Sequence, residues 1–292
     1  MYDTILVPTD GSEGAETAAG HALQFAVAFG ADVHLLSVVD DRVYTEEPVG
    51  VDELVQQHRE ALEADANDAV ADLASLASDA GIEAKVAVEH GVPHATIRDY
   101  VDAHDVDLVS MGTHGRTGLE RYLVGSVTER IVRTSDVPVL TSRLGDTGGS
   151  GYDDVLLPTD GSDPADAARE HALAIAEAFD ATLHVLSVVD VRALASNYDA
   201  GGGTAQVLDM LRDAGRSAVD DAAAAAEDRG VEATTAVTEG TPYRSIKNYV
   251  DAQDVDVIAM GTHGRTGLER YLIGSVTERV VRTSDVPVVT VR

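Results

Sequence analysis

Apolar and polar positions along the chain follow two periods, one typical of buried strands and one typical of amphipathic helices. In the first half, residues 4–7 and 33–39 are short apolar runs of the kind found in parallel strands covered on both faces. Between them, residues 13–29 repeat small and aromatic side chains at helical spacing behind Ser12, a favourable N-cap. The alternation continues as helix 52–80, strand 83–89, helix 94–103, strand 106–111, helix 126–134 and strand 137–141.

Strands separated by helices predict an α/β fold, with right-handed crossovers and a parallel sheet that has helices on both faces. In such doubly wound, Rossmann-like sheets, ligands bind beyond the carboxyl ends of the strands, where the strand order reverses. The loops after the first and fourth strands begin at Asp10 and Gly112. Both loops are therefore candidate ligand-binding segments.

The whole pattern occurs twice. Residues 2–12 match residues 152–162, and residues 111–143 differ from 260–292 at only four of 33 positions. Residues 144–151 between the copies are rich in Gly, Ser and Asp, a composition typical of a flexible linker. We therefore predict one domain over 1–143, a linker over 144–151 and a second domain over 152–292.

Composition narrows the class of protein. The 292 residues include no cysteine, which excludes disulfides, thiolate metal sites and a cysteine nucleophile. No run approaches the roughly 18 apolar residues that a membrane-spanning helix needs, and no basic-then-apolar leader follows Met1. We expect no membrane partner and a cytoplasmic location.

The net charge of -30 is the most unusual bulk property, with Lys85 and Lys247 the only lysines. A nucleic-acid partner is not expected, because neutralising phosphates requires a basic face. The charge fits either a generic acidic protein or a halophilic one, whose carboxylate-rich surface is adapted to a salty cytoplasm that screens repulsion. We favour the halophilic interpretation.

A glycine motif follows the fourth strand of each half. It reads Gly112-x2-Gly115-x9-Gly125-Ser126 in the first half and Gly261-x2-Gly264-x9-Gly274-Ser275 in the second. A glycine loop between a strand and a helix N-terminus is where backbone N–H groups converge on an anion. The alternative is a connection that needs glycine only for its own backbone. We favour phosphate binding, because the motif contains three glycines and its final Gly-Ser lies at a predicted helix start.

Arginines are concentrated around this motif. Residues 111–143 carry five arginines and three acidic residues, although the whole chain has a net charge of -30. The candidates for phosphate contact are Arg116, Arg121, Arg265 and Arg270. The alternative for each arginine is a surface salt bridge with a neighbouring glutamate.

Asp10 and Asp160 follow the first strand of each half in the sequence Pro-Thr-Asp-Gly-Ser. Each is either a turn aspartate or an acceptor for a ribose hydroxyl or an adenine amino group. His114 and His263 lie inside the glycine motif. No carboxylate lies at a spacing that would indicate a partner for a catalytic histidine, so hydrogen bonding is favoured over general-base catalysis.

Several other kinds of site are poorly supported. His90 and His94 could suggest a metal pair, yet the second half has no histidine in the equivalent stretch, which favours a surface loop. Ser126 lacks the Gly-x-Ser-x-Gly context of a hydrolase nucleophile. Neither a Gly-x4-Gly-Lys-Ser/Thr loop nor a Gly-x-Gly-x-x-Gly fingerprint is present, which argues against P-loop ATPases and dinucleotide-binding domains.

The repeated Gly-x2-Gly-x9-Gly-Ser motif resembles the ATP-binding signature of the universal stress protein family, and the resemblance covers nearly the whole chain. It implies a five-stranded parallel sheet of order 3-2-1-4-5 in each half. It also implies ATP, or alternatively ADP or AMP, bound with a divalent ion such as Mg²⁺. The first-half positions that match the family's contacts are Pro8, Thr9, Asp10, Val38, Met111, Gly112, His114, Gly115, Arg116, Gly125, Ser126, Val127 and Thr128. The second-half positions are Pro158, Thr159, Asp160, Val188, Met260, Gly261, His263, Gly264, Arg265, Gly274, Ser275, Val276 and Thr277.

The resemblance also implies how the chain assembles and acts. Members of the family commonly pair through their fifth strands, so residues 137–141 and 286–290 are expected to pair within one chain as a pseudo-dimer, with further homo-oligomers open. The expected function is a nucleotide-dependent module of the stress response. One alternative is a slow ATPase or autophosphorylating enzyme, with His114 or His263 as base and Ser126, Thr128 or their repeats as acceptor. The other is an interaction protein that binds no nucleotide.

Overall fold

A computed structural model describes residues 1–40, 42, 52–113, 125–144, 151–191, 204–264 and 273–292. The chain divides into two compact units, Met1–Thr147 and Gly148–Arg292. Each unit is a parallel α/β sheet, as the alternating pattern predicts. Among the described helices, none combines the length and the apolar character that crossing a membrane requires.

The first unit has five described strands and four described helices. The strands lie in the order β3-β2-β1-β4-β5, so the first and fourth strands are neighbours. Ile5 of the first strand aligns with Leu108 of the fourth. The elements are β1 (Thr4–Thr9), α1 (Glu13–Phe29), β2 (Asp32–Asp40), α2 (Asp52–Asp79), β3 (Lys85–Gly91), α3 (Pro93–Ala103), β4 (Leu108–Gly112), α4 (Ser126–Thr134) and β5 (Val139–Ser142).

The second unit repeats this arrangement, with strand order β8-β7-β6-β9-β10. Val155 of its first strand aligns with Val257 of its fourth. The elements are β6 (Asp154–Pro158), α5 (Asp163–Phe179), β7 (Thr182–Asp190), α6 (Thr204–Asp228), β8 (Ala233–Gly240), α7 (Pro242–Gln253), β9 (Val257–Gly261), α8 (Ser275–Thr283) and β10 (Val288–Val291). In both units the predicted order 3-2-1-4-5 is therefore confirmed.

The core of the first unit is formed where α1 packs on the central strands. Ile5, Leu6 and Val7 of β1 are completely buried, as expected for a strand covered on both faces. The small side chain of Ala18 is also fully buried, and its carbonyl accepts a hydrogen bond from Ser110 Oγ of β4 at 2.8 Å. This contact holds the helix after β1 directly against the strand that leads into the glycine motif.

Three strands begin about two residues later than the apolar pattern predicts. β4 begins at Leu108 rather than at residue 106, because Val106 N still donates to Val101 O at the end of α3. β5 begins at Val139 rather than at residue 137 because Pro138 has no N–H to donate, although its carbonyl accepts from Val109 N at 3.1 Å. β3 begins at Lys85 rather than at residue 83. Gly81 has a φ of 77° and Ile82 N donates to Ala77 O, so these residues still belong to the end of α2.

Candidate functional site

A cavity of about 270 Å³ opens in the first unit at the carboxyl ends of β1 and β4. This is the point where the strand order reverses, since β2 lies on one side of β1 and β4 on the other. Ten of the residues predicted from the sequence line this one cavity. They are Pro8, Thr9, Asp10, Val38, Met111, Gly112, Gly125, Ser126, Val127 and Thr128.

Two hydrogen bonds fix the start of α4 against the end of β4. Gly125 N donates to Thr113 O at 2.7 Å, and Thr128 Oγ1 donates to Gly112 O at 2.8 Å. Gly125 is the N-cap of α4 and provides no side-chain cap, while the first turn of the helix lines the cavity. The amides of an uncapped first turn require acceptors from elsewhere, and the helix dipole favours an anion there.

The glycines of the motif serve different purposes. A Cβ placed on Gly112 would lie 2.4 Å from Gly14 O in the first turn of α1, so packing within the protein already requires glycine there. A Cβ on Gly125 would meet no described atom closer than Thr113 O at 3.7 Å, and the φ of Gly125 is an ordinary -57°. The described residues therefore do not require glycine at position 125.

Asp10 forms a tight turn after β1. Its Oδ1 accepts from Ser12 N at 3.1 Å, Thr9 Oγ1 accepts from Gly11 N at 3.0 Å, and Gly11 has a φ of 74°. Ser12 then caps α1 by accepting from Ala15 N at 3.3 Å. Asp10 thus has the turn role that its sequence context suggests and also lines the cavity.

The second unit repeats the contacts at the strand ends. Gly274 N donates to Thr262 O at 2.7 Å, and Thr277 Oγ1 donates to Gly261 O at 2.8 Å. A Cβ on Gly261 would lie 2.7 Å from Pro164 O, so this glycine is required by packing in the same way as Gly112. The start of α8 is therefore fixed against β9 as the start of α4 is fixed against β4.

The second unit also shows where part of the glycine loop lies. His263 Nδ1 and Thr262 Oγ1 are 3.0 Å apart, and a Cβ on Gly264 would lie 2.6 Å from Asp160 Oδ2. The loop after β9 is thus in contact with the turn after β6. Asp160 Oδ1 accepts from Ser162 N at 3.1 Å, which reproduces the Asp10 turn.

The other predicted second-unit residues occupy the corresponding places. Pro158 ends β6, Val188 lies in β7, Met260 lies in β9, and Ser275 and Val276 open α8; Thr159 follows Pro158 directly. Six predicted arginine, histidine and glycine positions lie outside the described residues: His114, Gly115, Arg116, Arg121, Arg265 and Arg270.

Five cavity-lining residues were missed by the sequence reasoning: Ser12, Ala15, Leu36, Pro93 and Ile97. Leu36 could have been found, because it lies two residues before Val38 on the same face of β2. Pro93 and Ile97 belong to α3, and only the three-dimensional packing brings this helix to the cavity. No local signal marks them.

Charged groups lie close to the cavity at the end of β2. Arg42 donates to both carboxylate oxygens of Asp40, with Nε to Oδ1 at 2.9 Å and Nη2 to Oδ2 at 2.5 Å. The hydrogen bond from Arg42 is the main reason that the pKa of Asp40 is lowered. Asp40 is therefore ionised and neutralised by Arg42 at physiological pH.

His90 and His94 contact different charged side chains. His90 Nε2 lies 3.7 Å from Glu63 Oε1, whereas His94 Nε2 lies 3.2 Å from Arg130 Nη1. The described part of the chain contains no cluster of three or more His, Cys, Asp or Glu side chains placed to hold a metal ion.

A parallel sheet with a cavity at its switch point places the chain in the class of doubly wound α/β proteins. The universal stress protein family model matches residues 1–143 and again residues 151–292. The chain belongs to this family, with two family domains in tandem.

Single-domain relatives align with half of the chain. Universal stress protein MJ0531 of Methanocaldococcus jannaschii is 38% identical over 145 residues, which are 50% of this chain and 85% of the relative. Universal stress protein MJ0577 of the same organism is 32% identical over 152 residues, 48% of this chain and 94% of the relative. A solved universal stress protein from Archaeoglobus fulgidus covers 99% of this chain and 96% of its own, with a TM-score of 0.73 and 24% identity. It shows the same fold.

Proposed function

We propose that each half binds an adenine nucleotide, ATP in the first place, and that the chain acts as a nucleotide-dependent module of the stress response. The observation that carries this proposal is the cavity at the switch point, which is lined by nine residues of two separate sequence motifs together with Val38 of β2. Its position is where ligands bind in doubly wound sheets. The family signature in both glycine loops supports the same ligand.

The residues around the cavity suit the parts of a nucleotide. The first turn of α4 suits phosphates, because its N-cap residue, Gly125, has no side chain that could accept from the amides. Each such contact contributes only about 0.3–1 kcal/mol when exposed, so several must act together. The apolar side chains suit the base; they are Leu36, Val38, Ile97 and Met111. Phosphate oxygens and waters would supply most of the ligands for Mg²⁺, while the backbone amides would hold the phosphates.

The competing proposal is a slow ATPase or autophosphorylating enzyme. The Thr128 and Thr277 hydroxyls are poor acceptors for a phosphoryl group, because both residues are buried and each donates to a backbone carbonyl. Ser126 keeps the enzyme alternative open, since it is exposed and lines the cavity. His263 is hydrogen-bonded to Thr262, which fits a structural role at least as well as a base.

Two measurements separate these proposals. Mass spectrometry of gently denatured purified protein should release adenine nucleotide; if the protein carries none and takes up none from millimolar ATP, nucleotide binding is wrong. A turnover assay on wild type and on the double variant Ser126→Ala/Ser275→Ala then tests catalysis, because Ser275 is the equivalent serine of the second half. Phosphate release or phosphoprotein that disappears in the variant would favour the enzyme, and unchanged ATP would favour the module.

A further inference from the structure

A histidine–arginine pair lies beside the first cavity, between α3 and α4. Arg130 Nη1 is 3.2 Å from His94 Nε2. An arginine side chain can only donate hydrogen bonds, so His94 Nε2 must be the acceptor and the imidazole must be neutral at this atom. His94 and Arg130 are called the His94 pair below.

Both members of the His94 pair lie on helices that contribute other residues to the cavity lining. His94 follows Pro93 directly and lies one turn before Ile97, so it shares a helix face with Ile97. Arg130 lies one turn after Ser126 in α4, and long helical side chains lean toward the helix N-terminus. The arginine side chain therefore reaches back toward the turn that we propose holds the phosphates.

Protonation changes what the His94 pair can bind. A protonated imidazole cannot accept from Arg130, so two cationic donors would then face each other across 3.2 Å. Such an arrangement is stable only when an anion accepts from both groups, and phosphate oxygens do this well. An incoming polyphosphate would thus favour the protonated form of His94.

The surroundings of His94 keep it neutral while no anion is present. Burial and the nearby charges of Arg130, Arg42 and Arg98 lower its pKa, against a smaller raising effect of Asp40. These are the charged groups that act on the imidazole from α3, α4 and the end of β2, within the described residues. Three of these four groups are cationic, so a bound anion would oppose their lowering effect on the pKa of His94.

The second unit differs at this place. Tyr243 occupies the position of His94 at the start of α7, and the guanidinium of Arg279 lies over its ring at 4.8 Å from the centroid. Arg244 Nε donates to Tyr243 Oη at 2.9 Å. An aromatic ring holds the arginine here by a cation–π contact, and a phenol does not titrate near neutral pH.

We propose that the His94 pair is a pH-dependent phosphate clamp for the first-half nucleotide, and that Tyr243 with Arg279 makes the second-half site insensitive to pH over the same range. The clamp rests on the proposed nucleotide binding and adds its regulation. Nucleotide affinity in the first half increases as pH falls from about 8 to 6, with uptake of up to one proton per ATP.

The test is an NMR titration of the His94 Cε1–H signal, assigned by its loss in a His94→Tyr variant, without and with saturating ATP. We expect ATP to raise the pKa of His94 by about one unit, which corresponds to a tenfold change in affinity.

The second measurement is the ATP affinity by calorimetry at pH 6 and pH 8, for wild type, His94→Tyr and Tyr243→His. The γ-phosphate of ATP also titrates in this range, roughly at pH 6, but it contributes equally to all three proteins.

The outcomes separate the clamp from the proposed function. Two results together would support the clamp. In His94→Tyr, the ATP affinity of the first site should lose its extra pH dependence. In Tyr243→His, the ATP affinity of the second site should gain the same pH dependence. ATP binding with an unchanged His94 pKa and equal pH dependence in all three proteins would overturn the clamp alone. Failure of wild type and His94→Tyr to bind ATP at either pH would overturn nucleotide binding, and the clamp with it. Equal melting temperatures of the three proteins exclude unfolding as the cause.

Discussion

At the scale of single residues, the glycines of one motif have separable roles. Gly112 is confined by the carbonyl of Gly14, whereas Gly125 has room for a methyl group. Gly125 also has a φ that any residue can adopt. Two substitutions of the same kind should therefore have different consequences.

We expect Gly112→Ala to destabilise the first unit by about 1–3 kcal/mol, because the new Cβ would overlap a backbone carbonyl that cannot move freely. Gly125→Ala should change stability by less than about 1 kcal/mol. Urea unfolding of both variants measures this difference. Equal stability of the two variants would contradict the assignment of roles to these glycines.

A second residue-scale prediction concerns His171 in α5, whose pKa is lowered to about 4 by burial. The unfolded chain takes up this proton at about pH 6.5, above the pKa of the folded state, so acid favours unfolding. Stability from His171 is fully present above pH 6.5 and is lost as pH falls toward 4, by up to about 3 kcal/mol. Urea unfolding of wild type and His171→Gln should show a difference that changes with pH across this window. A constant difference from pH 7 to pH 4.5 would contradict it.

At the scale of elements, corresponding helices in the two units begin differently. Ser12 accepts a hydrogen bond from Ala15 N and caps α1, whereas Ser162 makes no side-chain cap at the start of α5. Ser162 Oγ is buried without a hydrogen-bond partner among the described residues, and Pro164 stands in the first turn instead. The two helix starts thus form a matched pair for measuring how much a side-chain N-cap stabilises a helix.

We expect Ser12→Ala to cost about 0.5–1 kcal/mol, and Ser162→Ala to be neutral or slightly stabilising. Amide hydrogen exchange at the two helix starts measures each effect locally, which avoids assuming that the two units unfold together. Faster exchange at α5 in Ser162→Ala than at α1 in Ser12→Ala would show that the caps have been assigned wrongly.

Most elements could be predicted from sequence because both faces of the central strands are covered, which makes each strand a continuous apolar run. The errors occur where local backbone chemistry overrides that pattern. They lie at Pro138, at the α2 terminus formed by Gly81 and Ile82, and at Val106, whose N–H still bonds to the end of α3. The site was predictable where its residues lie in contiguous motifs. Pro93 and Ile97 were not, because the path of α3 depends on packing rather than on any local pattern.

At the scale of the whole molecule, the net charge of -30 is the main electrostatic feature. Most of the described ion pairs are surface contacts, such as Arg229 with Glu177 and Lys247 with Asp285, and each of these contributes little. Repulsion among the many remaining carboxylates is long-ranged in dilute buffer and is screened within about 3 Å at 1 M salt. Salt should therefore stabilise both units.

Thermal melting across a KCl series tests this expectation. We predict that the melting temperature rises continuously from about 0.1 to 3 M KCl, which is the behaviour expected of a halophilic protein. A melting temperature that stays flat or falls would contradict adaptation to high salt.

The pairing of residues 137–141 with 286–290 stays a prediction at this scale. Separately expressed halves that fail to associate would contradict it.

We propose that main-chain amides at two glycine motifs hold a polyphosphate within an acidic protein. Isothermal titration calorimetry with ATP and Mg²⁺ tests this on wild type and on Gly125→Ala, in which the second half serves as an internal control. We predict two ATP per wild-type chain, and one ATP per Gly125→Ala chain of unchanged fold. No binding to wild type at millimolar ATP, or two undiminished sites in Gly125→Ala, would contradict the claim.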